Sequence, residues 1–152
     1  MKNTSFLKNS LAILISLFLF TNCSSNDDDT QVSFDLTGSW KVAYFRVDDT
    51  KITKTEENTL LTFNNGDITA DFTLDSSTGE GTISGINVTN GYNGGFTIEN
   101  NNEISFGPIA STLVAQPVWS NFYKINSIET FEVKDGMLFM YYDDNVIAFE
   151  PN

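Results

Sequence analysis

Short segments in which apolar and polar side chains alternate run along the chain from residue 33 to its end, and they constrain the fold more than any other feature. Trp40, Val42 and Tyr44 alternate with Lys41 and Ala43, and residues 68–74 show the same period. A period of two is typical of a β-strand that buries one face. Clusters of Asn, Asp, Ser and Gly separate the segments and predict turns at 64–66, 75–81, 100–102, 135–136 and 143–145.

This pattern predicts a mainly β fold class, a small antiparallel barrel-like domain with about eight short strands and one short helix. The helix is expected at residues 118–128, because Val118, Phe122 and Ile125 stand at helical spacing and Pro117 suits a first helical turn. The strands are predicted at residues 40–47, 60–63, 68–74, 82–88, 96–98, 104–106, 131–133, 137–142 and 146–149.

Three connecting segments carry more specific expectations. Residues 48–58 are charged and polar and predict a loop or a hairpin tip. Residues 64–66, Asn-Asn-Gly, favour a type I′ hairpin turn because Asn and Gly tolerate positive φ. The run 91–95, Gly-Tyr-Asn-Gly-Gly, is interpreted as a tight turn between strands and not as a phosphate loop, which needs a following helix.

The first 22 residues have the parts of a secretory signal peptide. Lys2 and Lys8 give a positive start, and residues 11–20 form an apolar run of ten residues. A helix that spans a membrane needs about 20 apolar residues, so this run favours a cleaved signal over an uncleaved membrane helix, which is the alternative. The residues before Cys23, Phe-Thr-Asn, resemble a lipobox with unusual residues at positions 20 and 22. We therefore expect cleavage before Cys23 and acylation of that cysteine.

Residues 23–35 are expected to be the lipidated cysteine and a disordered acidic tether, which leaves residues 36–152 as the folded domain. Asp27, Asp28 and Asp29 resemble the surface-export signal of Bacteroidetes lipoproteins. That resemblance implies an outer-membrane lipoprotein exposed at the cell surface, with a periplasm-facing lipoprotein as the alternative. A plain soluble spacer is the other interpretation of the three aspartates. The membrane itself is then a partner, bound through the lipid on Cys23.

The composition excludes several kinds of chemistry. The chain has no histidine and one cysteine, so Ser-His-Asp and Cys-His catalysis and zinc sites built from His or Cys are excluded in the domain. Without the signal, 6 basic and 20 acidic residues give a net charge of −14, which repels nucleic acid. The acid pairs 48–49, 56–57 and 143–144 lie in predicted turns, where carboxylates are commonly just solvated. We expect no enzymatic activity, no catalytic residue, no metal and no cofactor.

Part of the chain resembles the META (HslJ-like) domain family. The resemblance rests on residues 85–87, Gly-Ile-Asn, on the Tyr/Gly run 91–96 and above all on residues 107–112, Gly-Pro-Ile-Ala-Ser-Thr, and it extends over most of residues 36–150. It implies a small β-rich barrel in a cell-envelope protein and no settled enzymatic activity. Ile86 and Gln116 stand at or near the places where the family often carries cysteines, which implies a core that packs apolar groups in place of a disulfide.

Three functions follow as expectations. The first is a non-enzymatic envelope lipoprotein with a META-like domain that binds an envelope protein or supports the envelope under stress. The second is a carrier of a small apolar ligand, because Gly38-Ser-Trp40 resembles the Gly-x-Trp of lipocalin first strands and an unfilled barrel would hold a pocket. The third is a surface inhibitor or adhesin that acts through exposed aromatic side chains. The candidate contact residues are Trp40, Tyr92, Trp119 and Tyr123.

Overall fold

The computed structural model describes residues 36–55, 63–99 and 102–152. Every described residue belongs to one compact unit, Ser33–Asn152. The predicted signal peptide, Cys23 and the three aspartates at 27–29 lie outside the described residues, and so do most of the strand predicted at residues 60–63. Phe63 itself lies in a turn and is half exposed.

The described chain is built from antiparallel strands that close into an eight-stranded barrel, which confirms the predicted fold class. In space the order is β1-β3-β4-β5-β6-β8-β9-β10, and β10 returns to pair with β1. Two short strands extend the sheet, β2 beside the second half of β1 and β7 beside β5. The strands are β1 Gly38–Val47, β2 Thr50–Thr53, β3 Ile68–Asp75, β4 Glu80–Asn87, β5 Asn90–Glu99, β6 Glu103–Phe106, β7 Ala110–Ser111, β8 Thr130–Lys134, β9 Met137–Tyr142 and β10 Asn145–Pro151.

The turn chemistry of the sequence fits the tight connections between these strands. Asp48 and Asp49, which join β1 to β2, both have positive φ. Asp135 and Gly136, between β8 and β9, also have positive φ, and so does Asp143 at the turn into β10. Two-residue hairpins need left-handed backbone in order to match the twist of their strands, and Asp and Gly accept it more readily than most residues. Asn64, Asn65 and Gly66 also have positive φ, but they form a single 3₁₀ turn and not the predicted hairpin turn, since the neighbours of β3 are β1 and β4.

Because neighbouring strands run in opposite directions, the connections fall at two ends of the barrel. One end, here called the tether end, contains Leu36, where the described chain begins, and the β3–β4, β5–β6 and β8–β9 connections. The other, here called the strap end, contains the β1–β2, β4–β5 and β9–β10 turns and the long connection 107–129.

The interior of the barrel is filled by large side chains. They form one hydrophobic cluster to which every strand of the barrel contributes, and strands such as β3 and β9 contribute every second residue. The largest fully buried members are Trp119, Phe45, Phe72, Phe131, Phe149, Leu36, Ile68, Ile83, Leu138, Met140 and Ile147.

Two connections differ from their predictions. Asp48 and Asp49 form the predicted hairpin tip between β1 and β2, but Thr50–Thr53 is a strand of four residues beside β1 and not part of a loop. The glycine-rich run 91–95 is not a turn but the first half of β5, and the turn lies at residues 88–89. Gly94 in this run leaves room for a residue that is distant in sequence, because a Cβ at this position would lie 2.9 Å from the Ile109 side chain.

The short helix after Pro117 is present as a 3₁₀ helix, Val118–Phe122, and a second 3₁₀ turn follows at Ile125–Ser127. No side chain caps either segment, so little favours a longer α-helix. The predicted apolar stripe is wrong at Val118, which is 61% exposed, whereas Trp119, Tyr123, Ile125 and Ile128 are the buried side chains of this segment.

Candidate functional site

Residues 112–117, here called the strap, cross the strap end of the barrel as an extended segment without regular structure. Leu113 is 98% exposed and Val114 is 55% exposed, although both are apolar. Single exposed apolar residues are ordinary, but a cluster of them is typical of an interaction surface. Five of the six large apolar side chains that are exposed in the described part of the chain lie at this end of the barrel, namely Phe63, Ile86, Leu113, Val114 and Val118.

The strap is held in place by a buried asparagine. Asn90, at the start of β5, is only 2% exposed, and its Oδ1 accepts hydrogen bonds from the Val114 backbone N–H at 2.8 Å and the Thr112 hydroxyl at 2.9 Å. Its Nδ2 donates to the Val114 carbonyl at 2.9 Å. Thr89 adds a hydroxyl bond to the Ala115 carbonyl at 3.2 Å. Side-chain hydrogen bonds of this kind fix a loop backbone, so the exposed Leu113 and Val114 are presented on a rigid support.

The strap adjoins a surface without charged residues. Residues 81–98 and 104–123 contain no Asp, Glu, Lys or Arg, and they form most of β4, all of β7 and most of β5 and β6 with the strap and the first 3₁₀ helix. β5 lies between β4 and β7, so these segments are neighbours in space. We call their outer surface the charge-free face. Its outward side chains on β4 and β5 are Thr82, Ser84, Ile86, Asn93 and Thr97, with Gly91 and Gly95 between them.

The barrel is closed beneath the strap by the 3₁₀ helix. Trp119 is fully buried, and its ring lies 4.8 Å from that of Phe45 in an edge-on arrangement. Phe122 packs on the same Phe45 ring at 5.8 Å. These contacts fill the position at which an open barrel would have a mouth, so the end that carries the exposed apolar residues has a packed interior behind it.

Three buried polar atoms in this region have no hydrogen-bond partner. They are Asn87 Oδ1, Gln116 Oε1 and Trp119 Nε1. Most buried polar atoms in proteins are paired, so each one lowers the stability of the fold locally. Natural proteins tolerate such atoms more often at interaction sites than elsewhere.

Two tyrosines connect β3 and β5 to the segment that closes the barrel. The hydroxyl of Tyr92 donates to the Thr69 carbonyl at 2.7 Å, and the Tyr123 hydroxyl lies 2.6 Å from it, so Tyr123 is the donor of that second bond. Burial raises the pKa of both tyrosines above the ordinary value, and that of Tyr123 well above it. The pair therefore keeps its protons near neutral pH and serves as a structural link, since a raised pKa makes each hydroxyl a weaker acid.

All four aromatic residues proposed from the sequence as contacts are buried. Trp40 donates from Nε1 to the Leu36 carbonyl at 3.0 Å at the tether end, and Tyr92, Trp119 and Tyr123 belong to the core beneath the strap. The expectation that the last three are exposed, on which the adhesin hypothesis relied, is wrong. Ile86 also differs from its expectation, since its side chain is 40% exposed on the outer face and does not replace a disulfide in the core.

The residues that sequence reasoning missed are those of the strap, together with Asn90. The sequence does indicate this region, because it contains two long stretches without charge in a strongly acidic chain. The exposure of Leu113 and Val114 could not be predicted, because an apolar run in a loop and one in a buried strand look alike in sequence.

A depression of about 730 Å³ lies elsewhere, along the β3–β4 hairpin. Pockets for small apolar ligands have a similar volume but a mostly apolar lining. Most of the residues that line this depression are hydroxyl-bearing or acidic, namely Thr73, Asp75, Ser76, Thr78, Glu80 and Thr82 beside Leu74 and Gly81. The lining therefore does not match the apolar carrier site expected from the Gly-x-Trp resemblance.

Two further features concern residues 36–55, 63–99 and 102–152, the part of the chain that the structure describes. Within these ranges, no group of three or more His, Cys, Asp or Glu side chains is placed to hold a metal ion. The same ranges contain no helix with the length and apolar character needed to cross a membrane.

Comparison with known proteins adds a single structural likeness. No family model and no curated protein matches the chain. The chain is similar to the crystal structure of an uncharacterized protein from Bacteroides eggerthii DSM 20697, at 17% sequence identity and a TM-score of 0.44. The match covers 76% of this chain and 98% of the other.

Proposed function

We propose that this protein is a non-enzymatic, lipid-anchored protein of the outer membrane that acts by binding another protein through its charge-free face. The observation that carries the binding role is the group of exposed apolar side chains on a strap fixed by Asn90. The centres of protein interfaces are depleted in charge, and a rigid support lowers the entropic cost of binding. A barrel filled by aromatic side chains supports binding at its surface more than transport of a ligand inside.

The binding role is tested with a photoreactive benzophenone amino acid at position 113 of the full-length protein in intact cells. We expect cross-linked products at position 113 and none at position 133, because Val133 is an apolar residue, 37% exposed, that lies outside the charge-free face. Immunoblotting measures the products. Equal products at both positions, or none at either, would contradict a role for this face.

The anchor is expected to depend on Cys23 alone, since the chain has no second cysteine. Cys23→Ala should abolish incorporation of labelled palmitate and move the protein from the membrane fraction to the soluble fraction, because the lipid chains supply the membrane affinity. Fractionation with Leu113→Ala as the matched control measures this. A Cys23→Ala variant that stays in the membrane would point to the apolar run at 11–20 as an uncleaved anchor.

The surface location rests on the acidic residues after Cys23. Protease added to intact cells should degrade the native protein and spare a variant in which Asp27, Asp28 and Asp29 are all replaced by Ala, with both proteins remaining in the membrane fraction. Protection of the native protein would place it on the periplasmic side.

Membership of the META-like family is also proposed. Its support is the Gly107–Thr112 motif, which in this chain leads from β6 through β7 into the strap. A family with no settled activity adds no substrate, so the proposed function depends on the surface described above.

A further inference from the structure

We infer that the partner of the charge-free face is a second copy of this chain, so that the protein forms symmetric dimers on the membrane. This inference rests on the proposed function, because it identifies the occupant of the same face. It is carried by the distribution of charge, by the chemistry of the outward side chains and by the size of the face.

The charge distribution favours contact between two copies through the charge-free face. Residues 36–152 carry 6 basic and 16 acidic residues, so two barrels repel each other through most of their surfaces. The charge-free face is bordered by Asp71 on β3 and by Glu80 and Glu99 at the ends of β4 and β5. Contact through this face keeps all of these carboxylates at the rim, where water solvates them.

The outward side chains of the face are complementary to themselves. Hydroxyl and amide groups such as Ser84 and Asn93 both donate and accept hydrogen bonds, so a patch of them can pair with an identical patch. A strongly charged partner would instead leave its own charges without counter-charges in the contact, which is unfavourable. Gly91 and Gly95 keep the β5 surface low and flat between these groups, and a Cβ on Gly91 would meet nothing within 4 Å.

The size of the face predicts a dimer that depends on the membrane. Two strands about 26 Å long, with β7 and the strap beside them, present on the order of 500 Å². A stable interface in solution buries about 800 Å² on each partner. Anchoring both copies in one membrane raises their effective concentration, which strengthens a weak contact without new interactions.

The test is cysteine cross-linking of the full-length protein in isolated membranes. The domain has no cysteine of its own, so Asn93→Cys and Leu113→Cys each introduce the only thiol of residues 36–152. Under a mild oxidant we expect at least one of them to give ten times more disulfide-linked homodimer than the control Val133→Cys. Adding Ser84→Asp should lower that yield at least tenfold, whereas Glu132→Asp should leave it unchanged.

The outcomes distinguish a failure of the dimer from a failure of the binding function. Homodimer at the face positions and at Val133→Cys in equal amounts, or at none of them, overturns the dimer. If the photoreactive residue at position 113 still gives products with another protein, or with lipid alone, then the dimer is wrong and the face binds that other partner. If both experiments give no product, the binding function itself is wrong.

Discussion

Replacing Gly85 with alanine is expected to destabilise the barrel by about 3–5 kcal/mol, a large part of the stability of a domain this size. A Cβ on Gly85 would lie 2.0 Å from the carbonyl oxygen of Thr69 and 2.7 Å from the Tyr92 hydroxyl. The first of these atoms belongs to the backbone of β3, which is paired with β4 along eight residues and cannot move alone. The strands would have to separate, and the Tyr92 hydroxyl would lose its bond to the same carbonyl.

The measurement is urea unfolding of a chain that begins at Ser24, since the barrel closes around its own core within residues 36–152. Gly91→Ala is the matched control, because it lies on the adjacent strand with open space where its Cβ would be. This control should be neutral or stabilise by about 0.5 kcal/mol, as alanine restricts the unfolded chain. Similar unfolding midpoints for Gly85→Ala and Gly91→Ala would show that β3 and β4 are not held at the observed distance.

The glycines also show where sequence reasoning about the fold succeeds and where it stops. Strands such as β3 and β9 were predicted closely because their inward side chains are all large or apolar and mark the period of two. In β5 the period is hidden, since the inward residue between Tyr92 and Phe96 is Gly94. That glycine is required by Ile109, which is brought beside it only when the barrel forms. A residue that is needed because it contacts a residue distant in sequence leaves no recognisable pattern in its own segment.

The candidate site could not be predicted from the sequence either, but for another reason. The adhesin hypothesis requires exposed aromatic side chains, and the sequence alone does not exclude them. In the structure Tyr92, Trp119 and Tyr123 fill the barrel, while the exposed positions of the strap carry Leu113 and Val114. Which of two apolar groups faces solvent is decided by the register of a segment on its support, here by the bonds of Asn90 to Val114. Such bonds between distant residues cannot be derived from residue type.

Trp119→Ala is expected to cost about 3–5 kcal/mol of stability and to convert the packed strap end into a cavity. Trp119 is fully buried, and its ring supports Phe45, so removing it leaves a void between the 3₁₀ helix and β1. Apolar cavities in proteins stay dry and bind small apolar molecules. We therefore expect a thermal shift of this variant on addition of benzene, and no shift for the native protein, whose barrel is filled at that place.

Trp119→Phe separates the contribution of packing from that of the indole N–H. Because Nε1 has no hydrogen-bond partner, the phenylalanine variant loses no bond and should cost only about 1–2 kcal/mol for its smaller volume. A cost as large as that of alanine would mean that the N–H is bonded in solution, to water or to a ligand. If the native protein itself binds benzene and gains stability, the barrel is hollow in solution, and the carrier function replaces surface binding as the better account of this fold.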